Sequence, residues 1–295
     1  MKLPSVDHLN AESAAELFAQ AAQSLRQDPL RRGCCVMLPS HGRLVATGDL
    51  HDHPIHFQKV CDFAKLDRPD HHLILHELIH GERLTHGADL SWRMLAKVAA
   101  LRLQHPGQVH PMLANHEIAQ AFLQPVSKGA GECTQLFRDG LEWSFGEDAG
   151  MVEEAIHEFI RAMPLAIRSA SGLLCAHSLP APMAMPKFDM GVLDRALGET
   201  DYTARTGSAW CMTWGRAQTQ DSVRALADAW GVKLFVLGHK HVELGAETPF
   251  PGVVILNSDH ERGVVLAFDL GAPLPTAEQA VSCAVPLASM GSMHD

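Results

Sequence analysis

Cationic residues are scarce in this chain. Its 24 Lys and Arg stand against 34 Asp and Glu, a formal charge of −10. That balance argues against a nucleic-acid or anionic-membrane partner, both of which need clustered Lys and Arg. No stretch of uninterrupted apolar residues reaches the length needed to span a bilayer. The opening segment, MKLPSVDHLNAESAAELFAQAAQSL, lacks the continuous apolar core of a signal peptide, so a cytoplasmic protein is expected. The seven cysteines include no pair at the two-residue spacing of a zinc knuckle or redox motif, which fits free thiols in a reducing compartment. Gly129-Ala130-Gly131 lacks the third glycine of a nucleotide loop, and no Gly-x-Ser-x-Gly elbow marks a serine hydrolase.

What is present is histidine, 19 residues of it in a chain of 295. Abundance alone means little; position carries the information. Five short apolar runs each end in residues able to bind a metal. RLVATG leads to Asp49 and His51, HLIL to His76 and Glu77, and VHPMLA to Asn115, His116 and Glu117. GLLCA leads to His177, and KLFVLG to His239 and His241. Read as strands, the five converge by their carboxyl ends on one site, where ligands gather in layered α/β sheets. Carboxylate, imidazole and side-chain amide together suit hydrolytic ions such as Mn, Fe or Zn. The pattern points to a dinuclear metal hydrolase or a descendant of one.

The composition, 46% hydrophobic and 20% charged, is that of an ordinary globular protein with a substantial core. One domain over residues 1–270 is expected, with a helical extension at 1–32 and a C-terminal tail at 271–295 that shows no clear period. Helices are expected over 11–27, capped by Asn10, and over 55–66 and 90–103. The stretch 117–163 reads as mostly helical, broken at Pro125, Gly129 and Gly140. Strands are expected at 72–75, 109–113, 173–176, 234–237, 253–256 and 264–268. Residues 34–38 and 44–47 read as a strand pair around the Ser40-His41-Gly42 turn, and Cys175 as a small buried hydrophobe.

Each cluster has a plainer reading. Gly48-Asp49 makes a common polar turn, although residues two apart in an extended segment, such as Asp49 and His51, point the same way and can share one ion. Asn115 could simply cap a helix before Glu117, and His239 and His241 could be a surface pair. Their common placement after strands is what favours the metal.

The order of these motifs resembles the calcineurin-like metallophosphoesterases, and within them the phosphoprotein phosphatase branch. That family carries GDxHG, GDxxDRG, GNHE, an HG motif and GHxH in this order. Here they stand as GDLHD (48–52), LHELIHG (75–81), ANHE (114–117), AHS (176–178) and GHKH (238–241), and the resemblance covers about residues 43–269. The passage FIRAMPLAIRSASGLLCAHSLP is similar to the family's "lPLaA…ifCvHGGLsP", and Trp214-Gly215-Arg216 resembles the bacterial members' W-x-R. The second motif departs from the pattern. Anchored on its strand, it puts Glu77 on the family's bridging Asp and His80 on the next; anchored on Gly81, it puts His76 on the bridging position. A carboxylate can bridge two ions and one imidazole nitrogen cannot, which favours Glu77, with His76 as the alternative. The family's Arg in this motif is missing, and Arg83 is the candidate to replace it. Asp52, Ala114 and Ser178 each stand where Gly is usual.

The resemblance implies an α/β (α+β) fold, a four-layer sandwich of two mixed β-sheets flanked by helices. It implies two divalent ions (Mn, Fe or Zn) about 3.5–4 Å apart, activating water for in-line attack on phosphorus. Asp49, His51, Glu77 and His241 would serve one ion; Glu77, Asn115, His177 and His239 the other. His116 would protonate the leaving oxygen, oriented by His80 or Glu117, and Arg216 would hold phosphate. The implied partner is a phosphorylated substrate, a phosphoprotein or a small phosphomonoester. Hydrolysis of diesters or dinucleoside polyphosphates is a rival expectation, and non-catalytic binding of phosphorylated partners by a decayed site is another.

Overall fold

The computed structural model describes residues 10–125, 127–128 and 131–291. Two mixed β-sheets lie face to face. The larger has the order Arg31–Arg32, Cys35–Leu38, Ala166–Ser169, Leu173–Ala176, Leu234–Leu237, Val253–Leu256, Ala246–Glu247. The smaller runs Val285–Pro286, Val264–Asp269, Arg43–Asp49, His71–His76, Val109–Pro111. Its last three strands are mutually parallel, so their carboxyl ends emerge on one rim, as do those of Leu173–Ala176, Leu234–Leu237 and Val253–Leu256.

The period-2 alternation of side chains sorts these strands into two cores. Leu44, Ala46, Ile74, Leu173, Cys175, Leu234, Val236, Val254 and Leu256 fill the space between the sheets. Their neighbours Val45, Leu73, Leu75, Leu174, Phe235 and Leu237 face outward, in a core shared with the helices. Burial on both faces explains why the strands read as unbroken apolar runs. Helices Pro54–Ala64 and Trp92–Gln104 pack on the smaller sheet. Val223, Leu226 and Trp230 of Gln220–Trp230 join the same outward-facing core as Phe235. Cys175 is fully buried between the sheets, as expected of a small hydrophobe.

The strand expectations hold closely, and three readings of the chain are corrected. Residues 35–38 and 43–49 do not pair: the chain crosses from one sheet to the other, and Leu38 and Leu44 meet the same inter-sheet core from opposite sides. Gly140 does not break a helix but lies inside Cys133–Phe145, where a Cβ would sit 2.0 Å from the Asp89 carbonyl oxygen. Between Cys133 and Ala162 the interruption is instead the 3-10 turn Gly146–Asp148; Gly129 lies outside the described residues. The plainer alternative for Asn115, a helix cap, is not the one adopted: the Asn115–Ala121 helix starts from Ala114, and the Asn115 side chain reaches His177. Finally, the segment after 271 is no loose tail as far as 289. Ala277–Ser282 is a helix with a Thr276–Gln279 capping box, Val285 pairs with Val265, and Leu287 is buried. A six-residue helix and a two-residue strand are too short to show a period. Among the described residues, no helix is long and apolar enough to cross a membrane.

Candidate metal centre

All five runs end at the common rim, and their turns are laced together by backbone. The Glu77 carbonyl accepts from Leu50 N and His51 N at 3.0 and 2.9 Å, and Leu78 O accepts from Asp52 N at 2.9 Å. Glycines allow the strand ends to close in. A Cβ on Gly48 would lie 2.2 Å from the Leu256 carbonyl oxygen, and one on Gly238 would lie 2.3 Å from Asp49 Oδ1 and 3.0 Å from His76 Nδ1. Five motif residues that are not glycine (His51, Asp52, Glu77, His80 and His239) adopt left-handed backbone, with φ between 38° and 67°. Such strain persists only where the surroundings over-determine it.

Three sets of buried or half-buried donors converge here, each with ligand atoms within 4.8 Å of one another: Asp49–His51–Glu77, Glu77–His177–His239 and Asp49–His76–His177. Glu77 belongs to two of them. Its Oε2 lies 3.9 Å from His51 Nε2 and 3.2 Å from His177 Nε2, and its Oε1 lies 3.3 Å from His116 Nε2. The Asn115 side-chain oxygen meets His177 Nε2 at 2.7 Å and His239 Nδ1 at 2.9 Å. Asp49 accepts from His239 N through both oxygens, at 3.0 and 2.9 Å.

Burial keeps these imidazoles neutral. It pulls His76 down to about 4 and holds His177 well below the ordinary range. Burial, with the charge of Arg216 adding to it, takes His239 to about 3. A neutral imidazole offers a lone pair. Both ring nitrogens of His76, Nδ1 of His177 and Nε2 of His239 are buried with no hydrogen-bond partner among the described residues. Inward-facing orphaned nitrogens beside carboxylates fit a divalent cation, and the imidazole–carboxylate–amide mixture fits Mn, Fe or Zn.

The folded chain is similar to a protein serine/threonine phosphatase from Saccharomyces cerevisiae, with a TM-score of 0.65, 14% identity, and 88% of this chain and 82% of that one covered. It is also similar to a cold-active protein-tyrosine phosphatase from a psychrophilic Shewanella, with a TM-score of 0.56, 13% identity, and coverage of 84% and 80%. This is the calcineurin-like metallophosphoesterase fold. At such identity the likeness carries the fold alone. No family model matches the sequence, and no curated protein does.

Within this metallophosphoesterase fold, most of the residues singled out by sequence meet at the site. Asp49, His51, Glu77, Asn115, His177 and His239 do so, together with His76 and His116. Both anchorings of the second motif therefore point into the centre: Glu77 lies between two donor sets, and His76 faces Asp49 and His177. His241 does not join them. It is exposed, its ring 5.1 Å from that of His260, on the wall of a cleft of about 570 Å³ that also takes in His51, Asp52, Ile55 and Arg83. The backbone at His239 is left-handed (φ 67°), so the two histidines do not lie on one extended segment. Arg83 stands exposed at this cleft, its guanidinium 2.7 Å from the buried Asp52 carboxylate. Arg216 is exposed just beyond Gly215, whose carbonyl accepts from Ser178 Oγ at 2.6 Å. Glu117 turns away from His116 to accept from Leu78 N at 2.7 Å, and burial raises it to about 7.

Sequence reading missed a sixth strand end and a buried acid. Asn257 bridges Asp49 in parallel fashion, and Ser258 Oγ accepts from Gly48 N at 2.9 Å. The run VVIL followed by Asn257-Ser258-Asp259 carried the same signal as the other five. Asp89, hydrogen-bonded to His80 at 2.9 Å, had no comparable signal, lying in a short ribbon with no apolar run before it.

Proposed function

We propose that the chain is a metal-dependent phosphomonoesterase of the phosphoprotein-phosphatase type. The observation that carries this reading is Glu77, a carboxylate common to two donor sets, with Asn115 tying together two imidazoles of the second. Asp49, His51 and Glu77 would hold one divalent ion; Glu77, Asn115, His177 and His239 would hold another. His76 sits close enough to Asp49 and His177 to adjust the centre. Bound ions would polarise the phosphoryl oxygens and lower the pKa of water so that it attacks phosphorus at neutral pH.

The remaining work falls to the chain's own side chains. His116, whose Nε2 faces the Glu77 carboxylate at 3.3 Å, gives a proton to the leaving oxygen. Arg216, whose charge is felt at His239, binds phosphoryl oxygens, and a guanidinium does so with two parallel hydrogen bonds. Arg83, tethered to Asp52, offers a second guanidinium at the cleft. The cleft of about 570 Å³, with His51 and Arg83 on its wall, has room for a phosphorylated side chain. Two neighbours of the fold are named for serine/threonine and tyrosine phosphatase activity, so phosphoserine, phosphothreonine and phosphotyrosine peptides are the substrates to try first.

The test pairs metal analysis with turnover of p-nitrophenyl phosphate in added manganese, against bis-p-nitrophenyl phosphate and a dinucleoside polyphosphate. Close to two ions per chain and preference for the monoester are expected. Preference for a diester or polyphosphate would redirect the reading, and bound metal without turnover would leave only a phosphate-binding role.

A further inference from the structure

A buried acid–imidazole pair lies just outside the donor sets. Asp89 and His80 are each 2% exposed, with Asp89 Oδ2 2.9 Å from His80 Nδ1. The carboxylate is held from its other side, Oδ1 accepting from Ser91 N at 2.8 Å, while Ser91 Oγ accepts from His80 N at 3.1 Å. Gly140 lets the Cys133–Phe145 helix press against the Asp89 backbone, and Phe137 of that helix packs edge-on against the His80 ring with centroids 5.6 Å apart. His80 is thus clamped in a left-handed backbone conformation it would not adopt alone.

A carboxylate accepts from an imidazole N–H, so the 2.9 Å contact assigns a proton to His80 Nδ1 and leaves Nε2 as the ring nitrogen that can accept. That Nε2 is buried and has no hydrogen-bond partner among the described residues. An acceptor left so is costly unless something comes to it. The ring of His116 meets that of His80 edge to face, with centroids 5.2 Å apart.

We propose that Asp89 and His80 are positioning residues for His116, with His80 Nε2 accepting the Nδ1–H of His116 and so aiming its Nε2–H at the leaving group. This rests on the phosphatase reading above. As the P–O bond breaks, its electron pair goes to the leaving oxygen and the proton on His116 Nε2 follows. His116 is left neutral with its proton on Nδ1, the tautomer His80 can hold. The pair behind His116 is therefore an imidazole backed by a carboxylate, Asp89, that lies nine residues further along the chain.

The decisive variant is Asp89→Asn. Asparagine keeps an oxygen for Ser91 N and puts an amide donor against His80 Nδ1, which moves the His80 proton to Nε2 and turns an acceptor into a donor facing His116. Imidazole nitrogen shifts should show His80 protonated on Nδ1 in the parent protein and on Nε2 in the variant. Turnover of phenyl phosphate, with its poor leaving group, should fall roughly 10²-fold in kcat. Turnover of 2,4-dinitrophenyl phosphate, which needs no proton donor, should fall less than about threefold, with KM and metal content unchanged. His80→Gln, which keeps an acceptor, should retain more phenyl phosphatase activity than His80→Phe. Equal losses for both leaving groups, or a parent His80 protonated on Nε2, would overturn the proposal and leave the phosphatase reading standing. A parent protein that cleaves no phosphoester would overturn that reading and this role together.

Discussion

The strand His71–His76 begins and ends in histidine clusters that look alike in sequence and differ in physics. Near its start, His72 Nδ1 meets His110 Nε2 at 3.2 Å, beside an Asp28–Arg102 pair at 2.8 Å. Arg102 also reaches Ser24 O at 2.8 Å and Val109 O at 3.1 Å, fastening the Ala11–Arg26 helix to the smaller sheet. Here the chain supplies its own cation for its buried carboxylate. At the strand's other end, His76 joins Asp49 and His177, and Glu77 joins four imidazoles, with ring nitrogens left over. A buried carboxylate needs a countercharge. One cluster contains it as a guanidinium; for the other we propose a metal ion taken from solution. Histidine content identifies neither; the nature of the cation does.

Breaking that contrast gives the largest expected effect. Replacing Asp49 by Asn and His239 by Ala together should abolish metal binding by mass spectrometry and lower kcat/KM on the order of 10³-fold or more, while a thermal melt still shows a cooperative fold. Full occupancy in this double variant would refute the ligand assignment. Arg102→Met should do the reverse: it strands Asp28, costs about 3–5 kcal/mol in urea unfolding, and leaves the metal content of the folded fraction unchanged.

Two comparisons sharpen the centre itself. Glu77→Ala should lose at least one ion and roughly 10²-fold or more in turnover, with His76→Ala keeping more of both. The opposite ranking would mean that the second motif is anchored on Gly81 rather than on its strand. Gly140→Ala, which in an ordinary helix interior would stabilise by up to about 1 kcal/mol, should instead destabilise by about 1–3 kcal/mol, because the methyl meets the Asp89 carbonyl. A stabilised variant would show that the Asp89 ribbon can move aside.

The smallest effect is in pH. Burial, with the charges of His72 and Arg102 adding to it, holds His110 well below its ordinary 6.5 in the folded protein. The unfolded chain then binds more protons over the window beneath 6.5, so stability is full above that pH and declines as pH falls through it. His110→Gln should flatten this dependence by at most about 1.4 kcal/mol per pH unit, read from urea midpoints between pH 6.5 and 5. An unchanged slope would mean that His110 is not held neutral.

The strands and the ligand types were legible because they are local. Side chains alternating between two buried faces leave unbroken apolar runs, and a glycine or polar residue marks where each run stops, as in LFVL before Gly238-His239. His241 is grouped with the ligands by the resemblance of GHKH to the family's GHxH, whereas in the folded chain it stands exposed beside His260. Asn115 suits helix entry and metal ligation equally by residue type, and the approach of His177 and His239 to its side-chain oxygen favours the second.

The strand ends, the donor chemistry gathered on them and the order in which they occur can be read along the chain without its fold. Tertiary structure alone decided that residues 35–38 and 43–49 part into different sheets, that Glu77 and His76 both face the centre, and that Asp89 comes to stand behind His80. Each of these depends on contacts between segments remote in sequence or on a backbone turn held by them. A periodic pattern records which face of its own element a residue occupies, and carries no information about what another element brings to meet it.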